Sequence, residues 1–404
     1  MRRILLVDCD QFFVQCARLA DPDGAGREEL LLVGGSADGR GVVTSASYAT
    51  RTYGVRSGMP TAQALRLCPA AKVVPVPFRL CGEKSREVRA VLERFSPVVV
   101  PASVVEAYID MTGTEALYHD EPLADTARRM RDVVKAETDI TVSIGGGTSR
   151  LVAKLAVERA KPAGVLIVPP GAELEFMRGF RLADLPGVGP VFAAQLERLG
   201  FTTVNAMLEV NEATLCGMLG NTRGRWLYRR VRGIDSGIVR TEVRNRSMSR
   251  EETFARDIND DAALETELMA LATRLAADLR REQCRARTIT VKLRDADFKT
   301  RRASRTLKNA IETDRAMVLV SRTLLRKLRA ARRFPARLIG VAASGLDEGE
   351  LGDQLLLLDE QAVETDRDRK LAQTADDLRK RFGPNAIKSG RLLERRGRGP
   401  RVEG

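Results

Sequence analysis

Two carboxylates stand where strand-forming residues leave little room for charge. RILLVD ends on Asp8 after four apolar residues, and Glu106 lies inside VVEAYIDM among residues suited to a core. A carboxylate at the end of a buried strand is costly unless it is paired or bound to metal. On adjacent central strands the two would make a hard-oxygen site suited to Mg²⁺; the alternative is a structural ion pair with one of the many arginines. Asp10 follows Asp8 at i+2, on the same face of an extended chain. A turn after Cys9 would separate them, and Asp10 reads as a cap on the helix that follows.

Cationic groups follow. SASYATRTYGVRSGMP sets Tyr48 and Arg51 one helical turn apart, and LAVERAKPAG sets Lys161 before a proline at a helix end. An arginine fork and a lysine point charge suit a polyphosphate. LPGVGPVFAAQLERLGFTTV has the form of a helix-hairpin-helix. There Gly187 and Gly189 would let backbone N–H groups approach a DNA phosphate at a helix N-terminus; the alternative is a plain connecting turn.

Composition removes competing chemistries. His119 is the only histidine, so H-E-x-x-H metal sites, Ser-His-Asp triads and Cys-His pairs are excluded. Six cysteines lie apart with no C-x-x-C pair, which fits reduced thiols. Chemistry must run on carboxylates, lysines, hydroxyls or metal ions. The formal charge is +13, and residues 240–345 hold 25 Lys/Arg against 14 Asp/Glu. A basic segment of domain size points to a polyanion, nucleic acid before a membrane surface. No segment approaches the roughly 20 apolar residues of a membrane span, and MRRILLVDCD has too short an apolar run for a secretory signal. The expected compartment is the cytosol.

The elements that must position these residues are legible in outline. A chain of 404 residues predicts two to four domains. RILLVD, a helix near 11–20, KVVPVP, SPVVVP, VVEAYIDM, a helix through DTARRMRDVVKAE, ITVSIGG, a helix through RLVAKLAVERA, and VLIVP predict an α/β domain. A small subdomain is inserted before KVVPVP. Short helices replace strands from about 168 to 238. A strand near 247–254, a helix over 261–282, strands RTITVKLRD and KTRRASRTL, a helix near 313–331 and strand ARLIGVAAS then give a β-α-β-β-α-β plan. The last 60 residues are charged and helix-prone.

VDCDQFF, SYATRTYGVRSGMP, SVVEAYIDMTG, LAVERAKPAG and LPGVGP, in this order and spacing, resemble the Y-family translesion DNA polymerases, in their bacterial DinB group. The resemblance spans residues 1–345. It implies a multidomain α/β (α+β) right hand: a ferredoxin-like palm at 1–10 and 77–167, fingers at 11–76, a helical thumb with the helix-hairpin-helix at 168–238, a βαββαβ little finger at 243–346 and a tail at 347–404. It further implies low-fidelity, DNA-templated transfer of a nucleotide from a dNTP to a primer 3′-OH, using two Mg²⁺ ions, with Mn²⁺ a possible substitute. Asp8 would bind both ions, the Cys9 carbonyl the second, and Glu106 would complete the catalytic site. Phe13 would be the steric gate; Tyr48, Arg51 and Lys161 would hold the triphosphate. Primer-template DNA and dNTP are the implied partners of a monomer. In GDQLLLLDE, Gln354, Leu355, Leu357 and Leu358 resemble a sliding-clamp docking pentapeptide; a buried leucine-rich element is the alternative.

One position departs from the family. The motif S-[IV]-D-E-A-[YF]-[LIV]-D appears as SVVEAYID, with Val105 where the second bridging aspartate belongs. Valine cannot coordinate a cation. Asp110 is five strand residues away, roughly 16 Å, and on the other face. A loss of ~10³ in rate follows, on the order of 4 kcal/mol. Two readings stay open: an impaired polymerase, or a non-catalytic DNA-binding, clamp-docking accessory on a polymerase fold. A helix-hairpin-helix nuclease or repair binding module would leave Phe13, Tyr48 and Arg51 without a role.

Overall fold

The computed structural model describes residues 2–235, 239, 246–348, 363–383, 386–387 and 390. The chain divides into two compact units, residues 1–243 and 244–403.

The first unit is organised by strand β1 (Ile4–Cys9). Every residue of β1 is buried, which explains the apolar run Ile4–Val7 that precedes Asp8. After it come helix α1 (Phe12–Ala20), strands β2 (Leu31–Gly34) and β3 (Val43–Ala46), helices α2 (Tyr48–Thr52) and α3 (Thr61–Leu67), and strand β4 (Lys72–Val74). Strands β3-β2-β4 form a separate sheet, so KVVPVP belongs to the inserted piece and not to the central sheet. Helix α4 (Phe78–Glu93), strands β5 (Val99–Pro101) and β6 (Glu106–Asp110), helix α5 (Leu123–Thr138), strand β7 (Val142–Gly147), helix α6 (Arg150–Ala160) and strand β8 (Val165–Ile167) complete the α/β part. Its sheet runs β5-β6-β1-β7-β8, with β1 at the centre and antiparallel to both neighbours.

The pleat of β1 decides which groups meet. Leu5, Val7 and Cys9 face a core shared with Cys16 of α1, Val88 and Leu92 of α4, and Met130 and Val134 of α5. Ile4 and Leu6 face the other way, onto Ala153 and Val157 of α6. By period 2, Asp8 also points to the α6 side. Helix α4 is not foreseen in the sequence reading, although its buried Cys81, Val88, Val91 and Leu92 fall at helical spacing.

Helix α6 lies unusually close to the sheet because Gly145 has no side chain. A Cβ there would stand 2.1 Å from the Val157 nitrogen and 2.3 Å from the Ala153 oxygen. Ser149 caps the helix by accepting from the Val152 N–H. Helices α7 (Glu173–Arg178), α8 (Pro190–Arg198), α9 (Val204–Leu208), α10 (Glu212–Leu219) and α11 (Asn221–Val231) follow around their own core, which includes Leu182, Leu196 and Leu227.

The second unit holds strand β9 (Ser247–Ile258), helix α12 (Asp261–Arg281), strands β10 (Cys284–Asp295) and β11 (Thr300–Ile311), helix α13 (Asp314–Ala331) and strand β12 (Ala336–Glu348). The sheet order β11-β10-β12-β9 puts an antiparallel strand between each pair joined by a helix, the split βαβ arrangement. Leu268, Leu275, Val320 and Leu324 of the two helices share its core with Ile289, Val291 and Ile339 of the sheet. Helix α14 (Asp366–Phe382) is held to this unit by charge: Arg280 pairs with Asp314 and Asp376, and Arg315 with Asp368. Among the described residues no helix is long and apolar enough to cross a membrane.

The close approach at Gly145 is testable. Gly145→Ala forces α6 off the sheet and should cost about 3 kcal/mol of stability, measured by chemical denaturation. A loss below about 0.5 kcal/mol, the size of an ordinary surface change, would contradict the packing described.

Candidate active site

Strand register brings the two carboxylates face to face. Asp8 of β1 is directly opposite Glu106 of β6. Ser143 of β7 flanks Asp8 on the other side. Asp110 is opposite Ile4, at the far end of the same pairing, and accepts from the Thr112 N–H.

The counter-charges come from α6, and they are lysines, not arginines. Lys161 Nζ, at the helix C-terminus, is 2.8 Å from Asp8 Oδ2 and 3.1 Å from Glu158 Oε1. Lys154 Nζ donates to Glu106 Oε1. The two lysines are seven residues, about two turns, apart and so share a helix face. Lys154 escaped the sequence reading; its spacing from Lys161 was the available signal.

Electrostatics follow from burial. Asp8 is buried, and desolvation lifts its carboxyl from 3.8 to about 6; Lys161 opposes the rise and Glu106 adds to it. Burial also works to raise Glu106, but Lys154, helped by the charge of Lys161, holds it below the usual range. Lys161 loses from burial and gains more from Asp8, so its ammonium is held above the ordinary value. Burial pushes the Cys9 thiol far up, keeping it neutral.

Asp10 does not cap α1. Gln11 is the N-cap, at φ 38°, with no side-chain bond to the helix. The Asp10 carboxylate instead accepts the Tyr48 hydroxyl at 2.8 Å, the Ser143 hydroxyl at 2.9 Å and the Ala163 N–H at 2.9 Å. A turn after Cys9 sends Asp8 and Asp10 to different partners.

Tyr48 opens α2, where Ser47 caps by accepting from Thr50 N–H. The Arg51 guanidinium lies 4.8 Å from the Tyr48 ring centroid, and its Nε donates to the Ala46 carbonyl. Phe13, half-buried in the first turn of α1, packs edge-on to Phe12 at 5.5 Å. Gly187 has φ 95°, and a Cβ there would meet the Trp226 ring at 2.8 Å; Gly189 is the N-cap of α8 with open space around it. The segment Gln354, Leu355, Leu357, Leu358 lies outside the described residues.

The donor set suits one hard cation better than a bridged pair. Asp8 and Glu106 supply two carboxylates, and the remaining positions of a Mg²⁺ ion are commonly water and substrate oxygens. Among the described residues no three His, Cys, Asp or Glu side chains converge as a metal site. Val105 is half-buried against the core that contains Cys9, with its carbonyl taken by the Cys9 N–H. Asp10 cannot substitute without giving up its hydroxyl and amide partners.

Comparison with known proteins agrees with this architecture. The impB/mucB/samB family profile matches residues 7–158, its C-terminal domain profile residues 245–357, and a DNA polymerase-iota thumb domain profile residues 183–235. The chain is 36% identical to a DNA polymerase IV of Brucella melitensis over 95% of this chain and 84% of the relative. It is 37% identical to one of Halorhodospira halophila over 85% of this chain and 95% of the relative. A solved chimera of the Y-family polymerases Dbh and Dpo4 superposes with a TM-score of 0.77 at 23% identity, covering 86% of this chain and all of that one. An insertion ternary complex of Dbh DNA polymerase gives 0.58 at 23% identity, with the same coverage.

The raised Asp8 carboxyl has a pH signature. Between pH 3.8 and about 6 the native chain keeps a proton that the unfolded chain has released. The contribution to stability is therefore full below that window and lost as pH rises through it. Urea unfolding from pH 4 to 7 should show the native midpoint falling relative to that of Asp8→Asn; parallel profiles would contradict the assignment.

Proposed function

This chain belongs to the Y family of translesion DNA polymerases, and on that premise we propose that it adds nucleotides from dNTP to a primer 3′-OH, slowly, through a metal site weakened by Val105. The observation that carries this reading is the register of Asp8 opposite Glu106, one buried and one half-buried carboxylate converging at strand ends with no apolar purpose. Asp8, Glu106 and the Cys9 carbonyl are the groups that would hold Mg²⁺, or Mn²⁺ in its place. When bound, such ions would supply Lewis acidity at the attacking oxygen and neutralise the pyrophosphate leaving group, two ions being the usual number in polymerases.

The chain's own residues do the rest. Lys161 exchanges Asp8 for the triphosphate when nucleotide arrives, and Arg51, braced on the Tyr48 ring, supplies a planar fork to the same phosphates. Lys154 stays on Glu106 and keeps that carboxylate ionised and oriented. Phe13 occupies the space a ribose 2′-OH would need. Gly187 and Gly189 free the backbone at the start of α8 to meet duplex phosphates, and the basic second unit grips primer-template DNA by charge. Clamp docking through Gln354 to Leu358, a monomeric state and a cytosolic location rest on the sequence.

A second reading is favoured by the packing of Val105 against the palm core, which leaves two carboxylates where the family has three. It is a non-catalytic accessory that binds primer-template DNA and docks on the clamp.

Primer extension separates the readings. The native chain should incorporate nucleotide in Mg²⁺ or Mn²⁺, Glu106→Ala should abolish this, and Val105→Asp should accelerate it by ~10³. Incorporation by Val105→Asp with none by the native chain would remove native activity. Tight DNA binding with both inactive would establish the accessory role.

A further inference from the structure

The Asp10 carboxylate is nine-tenths or more buried, yet the reaction as described gives it no work. Its partners come from three elements. Tyr48 is on α2 of the inserted piece, Ser143 is on β7 of the central sheet, and Ala163 is in the turn two residues after Lys161. Ala163 stands at φ 54°, a region that residues with a Cβ seldom occupy, so its conformation needs support from outside. The Tyr48 backbone N–H is also fixed, by Gln11 Oε1 at 2.9 Å. Gln15 ties down the neighbouring backbone by donating to the Asp10 and Thr141 carbonyls.

A tyrosine hydroxyl has one proton to donate. In this arrangement it goes to Asp10, and the ring is thereby held as the platform on which Arg51 stacks. The same carboxylate holds the turn that carries Lys161. We propose that Asp10 is a positioning residue for nucleotide binding, setting Arg51 through Tyr48 and Lys161 through Ala163, so that two cations on separate elements are indexed to one buried anion. This rests on the reading of Arg51 and Lys161 as triphosphate ligands.

Asn at this position keeps the shape and two acceptor lone pairs but turns a donor toward a neighbouring donor, the Ala163 N–H or a hydroxyl. The charge-assisted bonds to Tyr48, Ser143 and Ala163 are lost or weakened together.

The test needs no turnover. Primer-template DNA ending in a dideoxynucleotide is bound to the full chain with Ca²⁺ or Mg²⁺, and the Kd for the correct dNTP is read from its stabilisation of the complex. Asp10→Asn should raise the dNTP Kd by about tenfold, the size expected for hydrogen bonds to a charged group, while the Kd for DNA alone stays within about twofold. Tyr48→Phe should raise it as well, and the double variant should be little worse than Asp10→Asn, because the two changes break one path. Strictly additive effects, an unchanged Kd, or tighter nucleotide binding by Asp10→Asn would overturn the proposal, the last by showing that Asp10 competes with nucleotide for Tyr48. If Asp10→Asn does not fold, Ser143→Ala, which removes one bond to the carboxylate, should still raise the dNTP Kd, and no change there overturns the proposal equally. Arg51→Ala and Lys161→Ala separate this failure from that of the underlying reading: unchanged dNTP affinity in both would remove the triphosphate assignment itself, whereas weakened affinity there with none in Asp10→Asn would remove only the role of Asp10.

Discussion

Two carboxylates held side by side at the ends of buried strands set the terms for the rest of the first unit. Desolvating a charged group costs several kcal/mol even after relaxation, and two like charges on adjacent strands add repulsion to that cost. The fold offsets it with the two lysines of α6, one on each carboxylate. Those lysines reach their partners because α6 crosses the sheet closely, and it crosses closely because Gly145 lacks a side chain. A backbone detail in β7 thus supports an electrostatic arrangement at the end of β1.

The same arrangement gives Val105 its meaning. With a third carboxylate the cluster would carry net negative charge and attract dications strongly. With valine it is two anions against two ammonium groups, close to neutral before any metal arrives. Lysines can satisfy such a site by themselves, which is the physical content of the accessory reading. In the polymerase reading a triphosphate would bring its own negative charge and draw Lys161 away from Asp8, recovering a cation site.

What was legible in the sequence follows from how local each signal was. Asp8 and Glu106 stood out because each interrupts an apolar run, and the departure at Val105 could be read from one motif. The β-α-β-β-α-β order of the second unit was also readable, since its periodicity switches cleanly between strands and helices. Lys154 was not found because its partner is chosen by the tertiary approach of α6, which no spacing within VVEAYIDM reveals. The usual N-cap rule fits Asp10, but Gln11 in a left-handed conformation starts the helix and frees Asp10 for partners 38, 133 and 153 residues away. Helix α4 is hard to see in the sequence because its buried positions are separated by charged residues that mask the stripe.

A polymerase needs the Asp8–Glu106 pair to be a cation site; an accessory needs only a closed ion-pair network. Anomalous scattering from Mn²⁺ in crystals of the chain with dideoxy-terminated primer-template DNA and a matching dNTP tells them apart directly. A Mn²⁺ peak coordinated by both Asp8 and Glu106 is expected, with Lys161 moved from Asp8 to the triphosphate. A map with no peak there, and with Lys161 and Lys154 still seated on the two carboxylates, would contradict it.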